Sequence, residues 1–252
     1  MRLALREALV CPADHRELAW ELTREEPMGD LIDGAAECRS CGRRYPVVEG
    51  IGVFLLDDSL DTWRDAAAGL DAALSEDSIL SERLLDGSLE ALNGADLAFR
   101  GMILEARGDL DRAAEAFAAS DTKLYPAEQR ACRDRLLAHA VSRTVAAPSS
   151  IADVVDIASG RGTLVELLAR AGRRVIATDI SPVAMRRLRA RMSRLGLGRL
   201  VDCLASDAAA LPFADGIVPS ASTFVGLQNI PDPQPVLREI RRVSAGPLLS
   251  IG

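Results

Sequence analysis

Two groups of residues in this 252-residue chain have types and spacings suited to chemistry. The first combines glycines with carboxylates. An apolar stretch at 152–157 leads into Ala158-Ser159-Gly160-Arg161-Gly162, and a helical pattern starts at Thr163. Gly160 and Gly162 permit a tight turn and a close approach of backbone to ligand. A second apolar stretch at 174–178 ends in Asp179. It lies about 20 residues past the glycines, where a carboxylate is placed to accept hydrogen bonds from ribose hydroxyls. A third stretch ends in Asp207-Ala208, followed by Leu211-Pro-Phe-Ala-Asp-Gly216. A carboxylate at that tip can accept from an adenine amino group, although alone it reads equally well as a cap or turn residue. The ordered set of strand and acid points to a cofactor site. The second group is sulfur: Cys11, and Cys38 and Cys41 just before Gly42. Thiolates two residues apart on a tight turn can converge on one tetrahedral ion. Cys132 and Cys203 stand in helix-like and strand-like contexts and are expected in the core. The chain has two histidines, His15 and His139, and no residue is assigned as a catalytic base.

These residues need elements to hold them. Strand patterns at 152–157, 174–178, 200–204, 220–225 and 247–251 alternate with helical ones at 163–171, 182–195 and 233–243. Such alternation builds a mainly parallel, doubly wound α/β sheet, with the glycines and carboxylates at the carboxyl ends of its strands. Pro219 cannot donate to a ladder, so it must mark the start of the fourth strand. Upstream, 57–147 reads as a helical linker segment, with runs at 66–74 and 97–117 and, after Pro126, from Ala127 to about 145. Gly101, Leu104, Gly108, Ala113 and Phe117 follow the spacing of one tetratricopeptide unit. A solenoid needs about three such units, and no second copy is present, so a lone helical hairpin linking two domains is expected. Residues 1–56 are turn-rich, short of core and in need of a staple. The expected division is 1–56, 57–147 and 148–252.

The net charge of −7 splits into +4 over 148–252, with 13 Arg against 9 acidic residues, and −11 over 1–147. A chain this acidic is not built for non-specific nucleic-acid binding. Arg186, Arg187, Arg189, Arg191 and Arg194 cover much of the helix after Asp179, which fits a solvated face better than an RNA patch. No apolar run reaches the roughly 20 residues of a membrane helix. No targeting segment is read, so the cytoplasm is the expected location. An odd count of five cysteines argues against a disulfide framework.

Val154-Val-Asp-Ile-Ala-Ser-Gly-Arg-Gly-Thr-Leu164, Val175-Ile-Ala-Thr-Asp-Ile-Ser-Pro-Val-Ala-Met185 and Ala205-Ser-Asp-Ala-Ala-Ala-Leu-Pro-Phe-Ala-Asp-Gly216 resemble three motif regions of class I, type-11-like methyltransferases. A nicotinamide-binding domain shares the fold, but the last two runs favour the methyltransferase. The resemblance implies a Rossmann-like core and S-adenosylmethionine as cofactor. Asp156, Ala158, Ser159, Gly160 and Gly162 would line its methionine and ribose side. Asp179 would hold the ribose hydroxyls, Ile180 would meet the adenine face, and Asp207 and Ala208 would lie at the adenine edge. Ala158 departs from the family's usual glycine. Gly226-Leu-Gln-Asn229 resembles the post-strand loop of ubiquinone and menaquinone C-methyltransferases, tilting the acceptor toward a small molecule. Ribosomal- or transfer-RNA methylation and a non-catalytic cofactor-binding scaffold are the alternatives. The family continues beyond a fifth strand, so this core is C-terminally short and leaves Leu248, Leu249 and Ile251 on an exposed edge. Truncation is the favoured explanation; otherwise a partner, a second copy or the N-terminal segment covers that edge.

Cys11-Pro-Ala-Asp14-His15 and Cys38-Arg-Ser-Cys41-Gly42, followed by Arg43-Arg-Tyr-Pro-Val-Val-Glu-Gly-Ile51, resemble the short zinc-ribbon family that activates transfer-RNA and protein methyltransferases. The first knuckle lacks its second cysteine. The resemblance implies zinc on Cys11, Cys38, Cys41 and Asp14, which takes the aligned position, with His15 the neighbouring candidate.

Overall fold

The computed structural model describes residues 1–25, 30–56, 78–144 and 151–252. The helical run expected at 66–74 lies outside these residues. The chain divides into two compact units, one formed by Met1–Leu60 with Leu137–Gly252 and the other by Asp61–Leu136.

The larger unit is built on one nine-stranded sheet. Strands β1 (Leu18–Glu25), β2 (Leu31–Cys38), β3 (Arg44–Val48) and β4 (Ile51–Phe54) form an antiparallel meander. Strands β5 (Val154–Ile157), β6 (Val175–Asp179), β7 (Val201–Ser206), β8 (Ala221–Phe224) and β9 (Leu248–Ile251) are parallel. The order is β1-β2-β3-β4-β7-β6-β5-β8-β9. β4 therefore joins the two halves, pairing parallel to β7 with Gly52 opposite Leu204 and Phe54 opposite Ser206. β5 and β7 are buried on both faces, as their near-continuous apolar runs require in a parallel sheet.

Alternation along the strands divides the core in two. Val155, Ile157, Ile176 and Leu204 pack with α7 (Pro233–Val243) and with Leu5, Leu9, Tyr45 and Phe54 of the N-terminal segment. Val154, Val175, Ala177, Cys203 and Ala205 pack with α5 (Thr163–Arg170) and α6 (Pro182–Arg194). α6 starts by a strong local rule: Pro182 takes its first turn while the Ser181 hydroxyl accepts from the Ala184 amide. β8 begins two residues after Pro219, as the missing amide demands.

The smaller unit contains α1 (Ser78–Leu85), α2 (Gly94–Ala106) and α3 (Leu110–Leu124), followed by the start of α4 (Ala127–Arg143). α2 and α3 form the expected hairpin. Asn93 and Asp109 cap the two helices, and Gly108 turns between them at φ +81°. Gly101 is required because a Cβ there would stand 2.6 Å from the Phe117 ring.

One expectation is corrected, and one of the alternatives left open for the fifth-strand edge is removed. Cys203 is buried, but Cys132 is exposed: α4 buries only Leu137 and Ala140 at the described core positions and turns Cys132 to solvent. The N-terminal segment does not fold back over the fifth strand. Its β4 occupies the β7 side of the sheet, and β9 lies at the opposite edge.

Candidate cofactor and metal sites

The chain leaves β5 through three left-handed residues in five: Ala158 at φ +53°, Gly160 at +51° and Gly162 at +71°. The two glycines serve different ends. A Cβ on Gly162 would meet the Leu188 side chain at 2.4 Å, so this glycine lets α5 pack on α6. A Cβ on Gly160 would meet nothing within 4 Å, so this glycine faces open space. The loop is pinned from the next strand: Asp179 Oδ2 accepts the Gly160 amide at 2.8 Å, and Oδ1 accepts the Ser181 amide at 2.9 Å. Burial pushes the Asp179 carboxyl up, opposed by the hydrogen bonds from Ser181 and Gly160. Each oxygen keeps a further lone pair for a ribose hydroxyl. Ser159 closes the turn, its amide donating to Thr178 O at 2.8 Å and its hydroxyl to Asp156 O at 3.0 Å.

Asp156 sits beneath this loop at 2% exposure. Its Oδ1 accepts the Ser222 hydroxyl of β8 at 2.6 Å, and burial pushes its carboxyl up to about 6. Ile180, half-buried, follows Asp179 at the end of β6. One strand further out, Asp207 Oδ1 accepts the Ala209 amide at 2.8 Å, and Ala208 packs against the core. The residues singled out in the sequence thus stand at the carboxyl ends of three neighbouring strands, β5, β6 and β7. This is where open α/β sheets bind ligands.

A fourth strand tip completes the crevice, and sequence reasoning missed part of it. Val225, just after β8, has φ +59°, a conformation that a β-branched residue adopts only under strain. Gly226 then presses its α-carbon against the loop. A Cβ there would lie 2.9 Å from the Ala158 Cβ and 2.3 Å from Thr223 Oγ1. Gly226 carried a signal, whereas nothing in the residue type of Val225 announces a left-handed backbone. The hydroxyls of Thr223 and of Ser206, beside Asp207, are buried without a hydrogen-bond partner.

The N-terminal cysteines also converge. The ligand atoms of Cys11, Asp14, Cys38 and Cys41 all lie within 4.8 Å of one another. Cys11 Sγ is 3.6 Å from Cys41 Sγ, and Cys38 Sγ is 3.4 Å from Asp14 Oδ1. Zn–S bonds of about 2.3 Å in a tetrahedron separate two sulfurs by about 3.8 Å, so the Cys11–Cys41 separation is of the size a zinc site needs and three thiols with one carboxylate are a donor set that zinc accepts. The separation does not fit a disulfide, which needs about 2.05 Å. Burial pushes the Cys11 thiol up to about 12, while hydrogen bonds, foremost from the Cys11 thiol, hold Asp14 down to about 2. A cation among them would draw the thiols to thiolates.

The two knuckles repeat one another. Cys38 donates its amide to Arg43 O and accepts that of Gly42; Cys11 does the same with Arg16 and His15. Gly42 has φ +71° and His15 has φ +57°. His15 therefore occupies the glycine position of its knuckle, and its ring is turned to Glu239, 4.0 Å away. Asp14, in the place of Cys41, is the residue that reaches the cluster.

With this geometry established, residues 155–246 match the family model described as a methyltransferase domain, and residues 2–50 match that of Trm112p-like proteins. The demethylmenaquinone methyltransferase of Renibacterium salmoninarum is 38% identical over 93 residues, covering 36% of this chain and 36% of the relative. That of Thermobifida fusca is 38% identical over 91 residues, covering 36% and 38%. The chain thus spans about a third of the length of these relatives. Among solved structures, geranyl diphosphate C-methyltransferase from Streptomyces coelicolor is similar at a TM-score of 0.40 and 18% identity, covering 44% of this chain and 42% of that one. The methyltransferase-domain match thus runs from β5 to just past α7, and the Trm112p-like match takes in the first knuckle, β1, β2 and β3.

Proposed function

We propose that this chain binds S-adenosylmethionine and transfers its methyl group to a small-molecule acceptor, with zinc stapling the N-terminal meander. The observation that carries the reading is the joining of a left-handed glycine loop after β5 to the Asp179 carboxylate at the tip of β6. Gly160, open above its α-carbon, admits the cofactor's amino-acid portion past Ala158 and Ser159. Asp179 takes the ribose hydroxyls, Ile180 the adenine face, and Asp207 with Ala208 the adenine edge. Asp156 and Gly162 support the loop from below.

S-adenosylmethionine supplies an electrophilic methyl carbon. Displacement from a sulfonium is in-line, so this chain's residues mainly orient the acceptor and exclude water. The strained Val225 and the Gly226–Asn229 turn stand beside the glycine loop, on the β8 side where an acceptor would approach. The likeness to demethylmenaquinone methyltransferases makes a quinol-like acceptor the first to test. The cytoplasm is the compartment in which free thiols such as these persist; no helix among the described residues is long and apolar enough to cross a membrane. β9, at the sheet edge with Leu248, Leu249 and Ile251 half-buried, offers a template for strand addition by a second copy.

Calorimetry with S-adenosylhomocysteine tests the site. Asp179→Ala should weaken binding by about 1–3 kcal/mol, the range for a charge-assisted hydrogen bond. Unchanged affinity would overturn the assignment. Methyl transfer to a demethylated quinol, and none to RNA, is the expected substrate pattern; transfer to RNA alone would replace the acceptor class.

A further inference from the structure

We propose that Glu239 and Arg242 are positioning residues that tie the metal knuckle to the adenine edge of the cofactor site, so that the two ligands bind cooperatively. This inference rests on the zinc and cofactor readings above. The segment Leu211–Asp215 follows the adenine-edge residues Asp207 and Ala208 and is held from two sides. On one side is the segment Ala8–Val10 that leads into the first knuckle. Val10 donates its amide to Pro212 O at 3.0 Å, Ala214 donates to Ala8 O at 3.0 Å, and Leu9 bridges Phe213. Cys11, the first metal donor, is the very next residue. On the other side is α7. Glu239 Oε1 accepts the Leu211 amide at 3.0 Å, and Arg242 donates to Leu211 O at 3.0 Å, Phe213 O at 2.8 Å and Asp215 Oδ1 at 2.7 Å.

Glu239 and Arg242 also grip one another through two hydrogen bonds, at 2.5 and 2.9 Å. Both side chains are largely buried, at 11% and 17% exposure, which makes the pair a fixed anchor rather than a surface contact. Two amides, three carbonyls and the Asp215 carboxylate of the segment are thus held in place. A displacement of Cys11 is transmitted through Val10 to Pro212, and a displacement of the turn at Asp207 is transmitted to the same residues from the other end. Two ligands that each order one shared segment must assist one another, and linkage makes the assistance equal in both directions.

The test measures that reciprocity on the full chain. S-adenosylhomocysteine affinity is measured by calorimetry with zinc and after chelation, and zinc affinity is measured by competition with a chromophoric chelator, with and without S-adenosylhomocysteine. Each ligand should tighten the other by the same factor, about fivefold or more. Glu239→Gln keeps an acceptor for Leu211 but loses the charge that holds Arg242; it should bind both ligands with the factor reduced to near unity. Full coupling in Glu239→Gln would overturn the role of the pair. If that variant does not fold, the two wild-type measurements stand alone: equal affinities with and without the other ligand overturn the proposal. Failure to bind S-adenosylhomocysteine would overturn the cofactor reading with it, and failure to take up zinc the zinc reading.

Discussion

The two ends of the larger unit's sheet build their sites by different means. In the antiparallel meander, the Cys11 and Cys38 turns bring four side-chain donors within 4.8 Å, and the backbone only repeats one knuckle twice. In the parallel half the backbone itself is the site: left-handed turns follow β5 and β8, and amides of one strand's loop are pinned by the next strand's carboxylate. Contrary to the expectation of a segment short of core, the meander gives Leu31, Tyr45, Val47 and Phe54 to the core it shares with the parallel strands, while its ligand turns set thiols and a carboxylate against one another. The parallel half has helices and a doubly buried sheet to hold its strained turns. A site made of side chains is sensitive to residue chemistry, and a site made of backbone is sensitive to shape.

On the proposed zinc reading, the largest expected effect comes from emptying the first site. Chelation of zinc, or Cys38→Ser, should unfold the 1–56 region and cost several kcal/mol, since structural zinc binding is folding free energy. Protease protection of 1–56 with and without chelator checks this, and protection that survives metal removal would show that the meander packs without a staple. Asp14→Cys, which completes the repeat of the Cys38 knuckle, should tighten zinc.

The next effect separates shape from openness in the second site. Gly162→Val places a branched side chain at φ +71° and against Leu188, and should cost about 3 kcal/mol or more in denaturant unfolding. Gly160→Val meets no neighbour, so it should cost less stability while abolishing S-adenosylhomocysteine binding. Equal destabilisation by the two, with binding retained in Gly160→Val, would remove the distinction drawn between them.

Asp156 joins the comparison through pH. Its folded-state value of about 6 is above the ordinary 3.8, so the folded protein holds the proton more tightly than the unfolded chain. Stability from this group is fully present below about pH 4 and lost as pH rises to about 6, by on the order of 2–3 kcal/mol. Asp156→Asn, which keeps an acceptor for Ser222, should gain on the wild type across that window and run parallel to it above. Unfolding curves at several pH values check the sign.

What could be read from residues alone follows the same division. The convergence of Cys11, Cys38 and Cys41 was legible because thiols have few other reasons to be so spaced, whereas that Asp14 rather than His15 reaches them needed the backbone. The ordered glycines and carboxylates were legible because strand tips recur at regular distances. The pairing of β4 with β7 left no mark, since an apolar strand such as Ile51–Phe54 reads the same whether it ends a ribbon or extends a second sheet. The exposure of Cys132 was missed for a related reason: α4 lacks a wide apolar stripe, and one cysteine on it carries no directional signal. The left-handed Val225 was invisible because no valine predicts that conformation.

The smallest expected effect concerns Ala158, which carries a methyl group on a left-handed backbone. An L-residue at φ +53° costs about 1 kcal/mol relative to glycine, and the position must also accommodate a methyl group. The room comes from Gly226, whose own Cβ would collide with that methyl at 2.9 Å. The pair is thus reciprocal: one of the two positions can carry a side chain, and this chain places it on the β5 loop. Ala158→Gly should relieve the backbone strain but free the unfolded chain and empty the contact, so its net effect on stability should lie within about 1 kcal/mol of zero. Gly226→Ala in the wild type should destabilise by about 1–3 kcal/mol through overpacking. The double variant Ala158→Gly with Gly226→Ala should recover part of that loss, because only the Thr223 hydroxyl, at 2.3 Å from the new methyl, and Ile157 O, at 3.1 Å, would still resist it. A double-mutant cycle measures the recovery. Strict additivity would mean that the two tips do not share one space, and that the glycine loop is shaped by its own strand alone.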